Sequence, residues 1–139
     1  MRAGRLDVFH NERCMMSAIS KKSLNRPDEK RDLPKTKIEV VNLGNTIVIM
    51  RVTFQPGWKW SECVKPTVGT ESCQAPHINY IISGRLKVVM DDGTEIEMGP
   101  GDAAEIPPGH DAFVVGNEPC VAIDFSAGKM YGRTTKGQG

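Results

Sequence analysis

Four side chains in the central part of the chain are of types that bind transition metals. Cys63, Cys73 and His77 lie in one stretch, and His110 lies in a second stretch further along. Imidazole and thiolate groups suit zinc, iron, copper or nickel. Two histidines with one or two cysteines favour zinc, a tetrahedral ion that acts as a Lewis acid when one position stays open. Iron and nickel stay open as alternatives.

Each of these residues also has a structural interpretation. His77 begins a predicted strand and is either a ligand or a structural histidine; His110 follows Pro-Pro-Gly and is either a ligand or a turn residue. Cys73 precedes His77 by three intervening residues, a spacing that suits a chelate. Cys63 is a candidate ligand, although buried cysteines often act as small apolar side chains. Cys120 opens the last predicted strand and is interpreted as a core residue.

A second set of residues could form a ligand pocket around such a site. Trp58 and Trp60 are two positions apart, so in a strand they share one face, either an aromatic wall for a ligand or a packing or dimer surface. Lys65, Glu71 and Tyr80 are polar groups close in sequence to the metal-binding candidates and could orient a ligand. Glu71 would also supply the carboxylate of a two-histidine, one-carboxylate iron site. Tyr80 has the alternative of a core position with its hydroxyl group hydrogen bonded.

Short strands must position these side chains. From Lys37 onwards, runs rich in β-branched and apolar residues alternate with Gly, Pro and Asn turn signals, and Asp92-Gly93 marks a hairpin. The segment 58–64 is predicted to be extended, and residues 65–76 form a long loop of the kind that carries function. No helix of any length is evident. About nine short strands in one chain predict an all-β antiparallel sandwich or barrel.

The glycine and proline pattern of the chain resembles that of the cupin family across about residues 40–126. Cupins are small β-barrels of the double-sheet jelly-roll type. Two motifs with characteristic spacings define the family, and five of their positions match here: Gly57, Gly84, Gly101, Pro107 and Gly109. The resemblance implies an all-β, single-domain cupin barrel in which inward-facing side chains meet at one site.

The ligand positions of the first motif depart from the family pattern. Cys63 and His77 stand where the family has a histidine and a glutamate. Counting back from His77 instead places Glu71 and Cys73 on the paired histidine positions of the motif. Both registers stay open.

The second motif departs as well, because its usual histidine is Ala112 and His110 stands two residues earlier. Positions two apart in a strand face the same side, so His110 would still point into the barrel. The resemblance implies a metal-binding cupin domain that holds a small organic ligand, with these candidate metal ligands: His77, His110, Cys73 and Cys63. An enzyme of the dioxygenase, isomerase or lyase type is one interpretation, and a non-catalytic binding or sensor module without metal is the alternative.

Charge divides the chain into a basic N-terminal part and a mildly acidic remainder. Residues 1–37 contain ten Lys or Arg and five Asp or Glu, against eight and twelve in residues 38–139. We interpret residues 1–36 as a flexible basic arm, 37–128 as the barrel and 129–139 as a flexible tail. Nucleic-acid binding is disfavoured, because aromatic residues do not alternate with the basic ones.

The bulk composition favours a cytoplasmic protein. No apolar run approaches the roughly 20 residues of a membrane-spanning helix, and the N-terminus lacks the apolar stretch of a secretion signal. We therefore expect the four cysteines to be free thiols rather than a disulfide framework. Cupins of this size commonly dimerise, and we expect a homodimer whose interface includes the strand at 46–55 and its neighbours.

Overall fold

Two antiparallel β-sheets face each other in the computed structural model, which describes residues 18–44 and 46–125. The strands are β1 (Glu29–Leu33), β2 (Thr36–Leu43), β3 (Ile47–Phe54), β4 (His77–Ser83), β5 (Leu86–Met90), β6 (Glu95–Met98), β7 (Ala103–Ile106), β8 (His110–Val114) and β9 (Cys120–Asp124). One sheet has the order β1-β2-β3-β9-β4-β7 and the other the order β6-β5-β8. The predicted all-β, jelly-roll class is confirmed.

The period-two alternation of the strands places the core between the sheets. In β4, His77, Asn79 and Ile81 are buried, whereas the intervening Ile78 and Tyr80 are exposed. The apolar core combines side chains of both sheets, including Ile38, Met50, Val52, Leu86, Val88 and Ala122. Polar residues on the inward face of a strand therefore lie inside the barrel, where few partners are available to them.

Two short helices replace the predicted extended segment at 58–64: α1 (Trp60–Cys63) and α2 (Lys65–Val68). The expectation of no helix was wrong at this point. Trp60 and Cys63 are both buried and are three positions apart, a spacing that puts them on one face of a helical turn but on opposite faces of a strand. Pro66 stands in the first turn of α2, where its missing N–H costs no hydrogen bond. Neither helix is long or apolar enough to span a membrane.

The sheet also begins earlier than the predicted boundary at residue 37. β1 pairs with β2 in antiparallel register from Glu29↔Val40 to Leu33↔Thr36, so this part of the predicted arm is a strand. The segment before it is tied to β3, because the Arg51 guanidinium donates to the Leu24 carbonyl (3.2 Å) and to Asn25 Oδ1 (3.0 Å). The predictions for the first 17 residues, for Cys14 and for the tail 129–139 lie outside the described residues.

A bidentate ion pair between Glu39 and Arg51 joins β2 to β3, at 2.8 Å and 2.9 Å. The Arg51 hydrogen bonds lower the pKa of Glu39 below its ordinary value of 4.5, even though burial opposes this shift. Ionised Glu39 therefore stabilises the fold above the unfolded-state pKa, and this contribution disappears as the pH falls through the lowered, folded-state pKa. We expect Glu39→Gln to lower the free energy of unfolding at pH 7 by roughly 1–3 kcal/mol, and by much less at pH 3.

Urea unfolding at both pH values measures this difference. Glu97→Gln is the matched control, because its pair with Arg85 (2.7 Å) is exposed, with 39% and 49% of the two side chains accessible. An exposed pair contributes less than about 1 kcal/mol. An equal loss for Glu39→Gln at pH 3 and pH 7 would contradict the ion-pair explanation.

Candidate metal centre

Three of the four predicted metal ligands meet at one end of the barrel. One ligand atom from each of Cys73, His77 and His110 lies within 4.8 Å of the others, and all three side chains are buried. His77 is the first residue of β4 and His110 is the first residue of β8. Both strands therefore enter the barrel at this site.

The long loop before β4 delivers Cys73 by pairing with the start of β8. The Cys73 N–H donates to the His110 carbonyl (2.7 Å), and the Gly109 N–H donates to the Cys73 carbonyl (2.7 Å). This isolated bridge fixes the backbone of Cys73 directly beside that of His110. The loop 65–76 thus carries one member of the cluster.

Hydrogen bonds at the far side of each imidazole fix the orientation of the two histidines. His77 Nδ1 lies 2.5 Å from Asp124 Oδ2, and His77 Nε2 lies 3.5 Å from the sulfur of Cys73. His110 Nδ1 lies 2.9 Å from the Pro107 carbonyl, which can only accept, so this nitrogen carries hydrogen. The Nε2 atom of each histidine is then available to bind a metal. A metal-bound histidine usually donates a hydrogen bond from its other ring nitrogen to a carboxylate or a carbonyl. The two rings are edge to face, with centroids 5.2 Å apart.

The electrostatics of the cluster favour a thiolate at Cys73. Burial by itself raises the pKa of this thiol, but hydrogen bonds from His110 and His77 outweigh it and lower the pKa to about 6. Burial likewise opposes charge on His77, yet its hydrogen bonds to Asp124 and Cys73 raise its pKa to about 9. By contrast, burial alone raises the pKa of Cys120 to about 11. The pKa of the Cys73 thiol is therefore shifted in the opposite direction to that of Cys120, a buried cysteine outside the cluster.

The remaining predicted site residues lie elsewhere in the structure. Cys63 is buried on α1 and is not a member of the three-residue cluster. Lys65 and Glu71 form a surface ion pair (3.1 Å), and 98% of the Glu71 side chain is accessible, so neither lines the site. Tyr80 is 44% exposed on the outer face of β4, because it alternates with the inward His77 and Ile81.

The two tryptophans are both buried but do not share a strand face. Trp58 packs against Phe54, with ring centroids 4.1 Å apart, and lines a cavity between the sheets. Trp60 begins α1, where the backbone leaves the extended conformation, and it does not line that cavity. The shared strand face expected for the two tryptophans is therefore wrong, and of the two only Trp58 lines the cavity.

Sequence reasoning missed two polar residues of the site, Asp124 and Asn79. Both are buried, with 2% and 8% of the residue exposed, and both line the same cavity as His77. The alternation of residues in β9 could have identified Asp124, because Cys120, Ala122 and Asp124 share the inward face of this strand. A charged side chain on a core face is rare unless it is paired.

Comparisons with known proteins agree with this architecture. A family profile described as the cupin domain matches residues 50–126. Similar solved structures include KdgF from Halomonas sp. (22% identity, TM-score 0.51, covering 71% of this chain and 86% of that one). A second is an RmlC-like cupin from Shewanella frigidimarina (17% identity, TM-score 0.57, 81% and 95%).

A third similar structure is an oxalate decarboxylase–formate complex from Lactobacillus farciminis, with 20% identity and a TM-score of 0.54. The match covers 74% of this chain but only 32% of the decarboxylase. No curated protein sequence gives a significant match. At these identities the structural likeness establishes the fold alone.

Proposed function

The chain belongs to the cupin family, and from that premise we propose that its barrel binds a divalent transition metal beside a small organic ligand. Cys73, His77 and His110 are the proposed ligands. The observation that carries the proposal is the convergence of their ligand atoms within 4.8 Å, in a buried site.

The donor set fits zinc best. One thiolate and two imidazoles are common zinc ligands, and three protein ligands leave the fourth position for water or a substrate. Zinc held there would polarise a bound oxygen or lower the pKa of a bound water, which suits isomerase or lyase chemistry. Iron, which would suit dioxygenase chemistry, and nickel are the other candidates. Iron is less well matched, because the nearest buried carboxylate, Asp124, is bound to His77.

The residues around the cluster have distinct tasks in this proposal. Asp124 and Pro107 hold the two imidazole rings, and the core around them excludes water. The cavity that His77 and Asp124 line is otherwise bounded mostly by apolar side chains. A small ligand would bind there with most of its surface against apolar side chains.

Metal analysis of untagged protein by plasma mass spectrometry tests the proposal. We expect near-stoichiometric zinc in the wild type and its loss in Cys73→Ala. Cys120→Ala is the matched control, since it removes a buried thiol outside the cluster and should leave the metal content unchanged. Wild-type protein that holds no metal, even after reconstitution with zinc and ferrous iron, would refute the metal centre and leave a binding or sensor module.

A second candidate function needs no metal, because Asp124, His77 and Cys73 form a continuous chain of close contacts. This is the arrangement of an activated cysteine nucleophile. The Cys73 thiolate would attack an electrophilic carbon and form an S–C bond as the bond from that carbon to a leaving group breaks. The proton of the thiol is then already on the His77 imidazole, and Asp124 balances the charge of the imidazolium.

Alkylation of metal-free protein by iodoacetamide, with iodide as the leaving group, tests this candidate. It predicts faster reaction at Cys73 than at the comparably buried Cys63 and Cys120 (4%, 6% and 0% exposed). It also predicts slower reaction at Cys73 in Asp124→Asn. Equal rates at the three thiols would eliminate it.

We also propose a homodimer, because the outer face of β4 exposes large apolar side chains. Ile78, Tyr80 and Ile82 are 48%, 44% and 48% exposed in a row on this face. β3 is paired on both sides, so the predicted strand 46–55 can contribute only a face and not an edge. Light scattering of Tyr80→Lys checks the interface, since a dimer buried there would dissociate.

A cytoplasmic location is also proposed. Cys63, Cys73 and Cys120 are free thiols, and unpaired cysteines are typical of a reducing compartment.

A further inference from the structure

A cavity of about 30 Å³ lies between the two sheets and adjoins the cluster. Its walls are mostly aliphatic and aromatic, with His77, Asn79, Asp124 and Trp58 as the residues that carry polar groups. One water-sized group needs roughly 10–15 Å³ by this measure, so the space suits about two or three such groups. The cavity is too small for a sugar or a nucleotide.

Trp58, one of the residues of this wall, carries an unsatisfied hydrogen-bond donor. Its indole Nε1 is the one fully buried side-chain nitrogen or oxygen atom of the described residues that has no hydrogen-bond partner, and only 2% of the residue is exposed. Leaving a buried donor unpaired costs about 1–3 kcal/mol, so native proteins rarely keep one without a reason. An indole N–H can donate but cannot accept. Its missing partner must therefore be an acceptor.

The position of the indole is fixed by its surroundings. The ring packs against Phe54, and the Trp58 carbonyl accepts a hydrogen bond from the Val114 N–H (3.0 Å) at the edge of the second sheet. The donor is thus preorganised, which reduces the entropy cost of binding an acceptor. Asn79, 8% exposed in the same wall, offers an amide that both donates and accepts.

We propose that this cavity binds an uncharged molecule of about two or three heavy atoms through a carbonyl-type oxygen that accepts from Trp58 Nε1. The inference rests on the proposed function, because it defines the ligand that lies beside the metal centre. An aldehyde or an amide of this size meets the volume and the acceptor requirement. An anion fits less well, because the Asp124 carboxylate is already part of the wall.

Indole N–H signals in a nitrogen-15 correlation spectrum test the proposal directly. The chain contains two tryptophans, and Trp58→Phe and Trp60→Phe assign the two signals. Formamide and formate are matched probes with three heavy atoms each, one uncharged and one anionic. In zinc-loaded protein, we expect formamide to move the Trp58 signal saturably and downfield, to leave the Trp60 signal in place, and to bind more tightly than formate.

Trp58→Phe keeps an aromatic ring but removes the donor, so we expect formamide to bind about tenfold more weakly, as followed by the side-chain amide signals of Asn79. Zinc content is measured on the same samples, because an unchanged content separates a failure of the ligand site from a failure of the metal centre.

Four results would overturn the proposal: an unmoved Trp58 signal, equal movement of both indole signals, tighter binding of formate, or a trapped water that no probe displaces. The wild-type titration decides the matter even if Trp58→Phe does not fold.

Discussion

Replacing His77 with alanine is expected to weaken zinc binding by at least about a hundredfold. Structural zinc sites with four protein ligands are worth about 10–16 kcal/mol, so a single ligand accounts for roughly 3 kcal/mol. His77 is also the proposed ligand that contacts both Cys73 and Asp124. Its removal therefore takes away one donor and leaves the Asp124 carboxylate buried without its imidazole partner. Competition with a chromogenic chelator measures the affinity.

Asp124→Asn is expected to weaken zinc binding less than His77→Ala does. The amide still offers an oxygen to His77 Nδ1 but lacks the negative charge that makes the imidazole a stronger donor. Loss of such a supporting carboxylate costs 10–100-fold in metal affinity. The expected order of zinc affinity is therefore wild type, Asp124→Asn, then His77→Ala. Wild-type affinity in His77→Ala would contradict the assignment of this residue as a ligand.

Gly84→Ala is expected to destabilise the fold by at least about 3 kcal/mol. Gly84 has a φ of 75°, and a Cβ atom there would lie 2.2 Å from the Pro119 carbonyl oxygen and 2.6 Å from the Cys120 Cα. Both obstacles are backbone atoms, so a rotamer change cannot relieve the clash. The turn directly follows the irregular register between β4 and β9, the strands that carry His77 and Asp124. A clash at this turn should therefore disturb the proposed metal centre as well as lower the stability of the fold.

Gly93→Ala is the matched control for this prediction. Gly93 has a similar φ of 90°, but a Cβ there would meet nothing within 4 Å. The control isolates the cost of the left-handed backbone alone, which is about 1–2 kcal/mol. Thermal and urea unfolding compare the two variants. An equal loss of stability in both would show that the approach of Gly84 to Pro119 is unimportant.

The fold could be predicted from the sequence because its turn residues and strand patterns are local signals. Gly84 and Gly101 both adopt positive φ angles, at 75° and 92°, as expected of glycines in the turns between strands. The Asp92-Gly93 hairpin joins β5 to β6 as predicted. The helical turns at 60–68 were missed because WSEC and KPTV are too short for a helical period, and only burial against the core identifies them.

The candidate site could be predicted only in part, because its members are brought together by pairing across the sheets. Cys73 and His77 are close in the chain, so their proximity could be expected from spacing. Asp124 is 47 residues from His77, and only the antiparallel pairing of β4 with β9, with Asn79 opposite Asp124, brings the carboxylate to the imidazole. The outward position of Tyr80 follows from the same strand parity that turns His77 inward.

Absorption spectroscopy of cobalt-substituted protein tests the central claim that Cys73, His77 and His110 bind a metal together. The wild type should show a thiolate-to-cobalt charge-transfer band in the near ultraviolet, together with the intense visible bands of a tetrahedral site. Cys73→Ser should lose the charge-transfer band, whereas Cys63→Ser and Cys120→Ser should retain it. A wild-type protein without the band at saturating cobalt, or a band that persists in Cys73→Ser and vanishes in Cys63→Ser, would contradict the proposed centre.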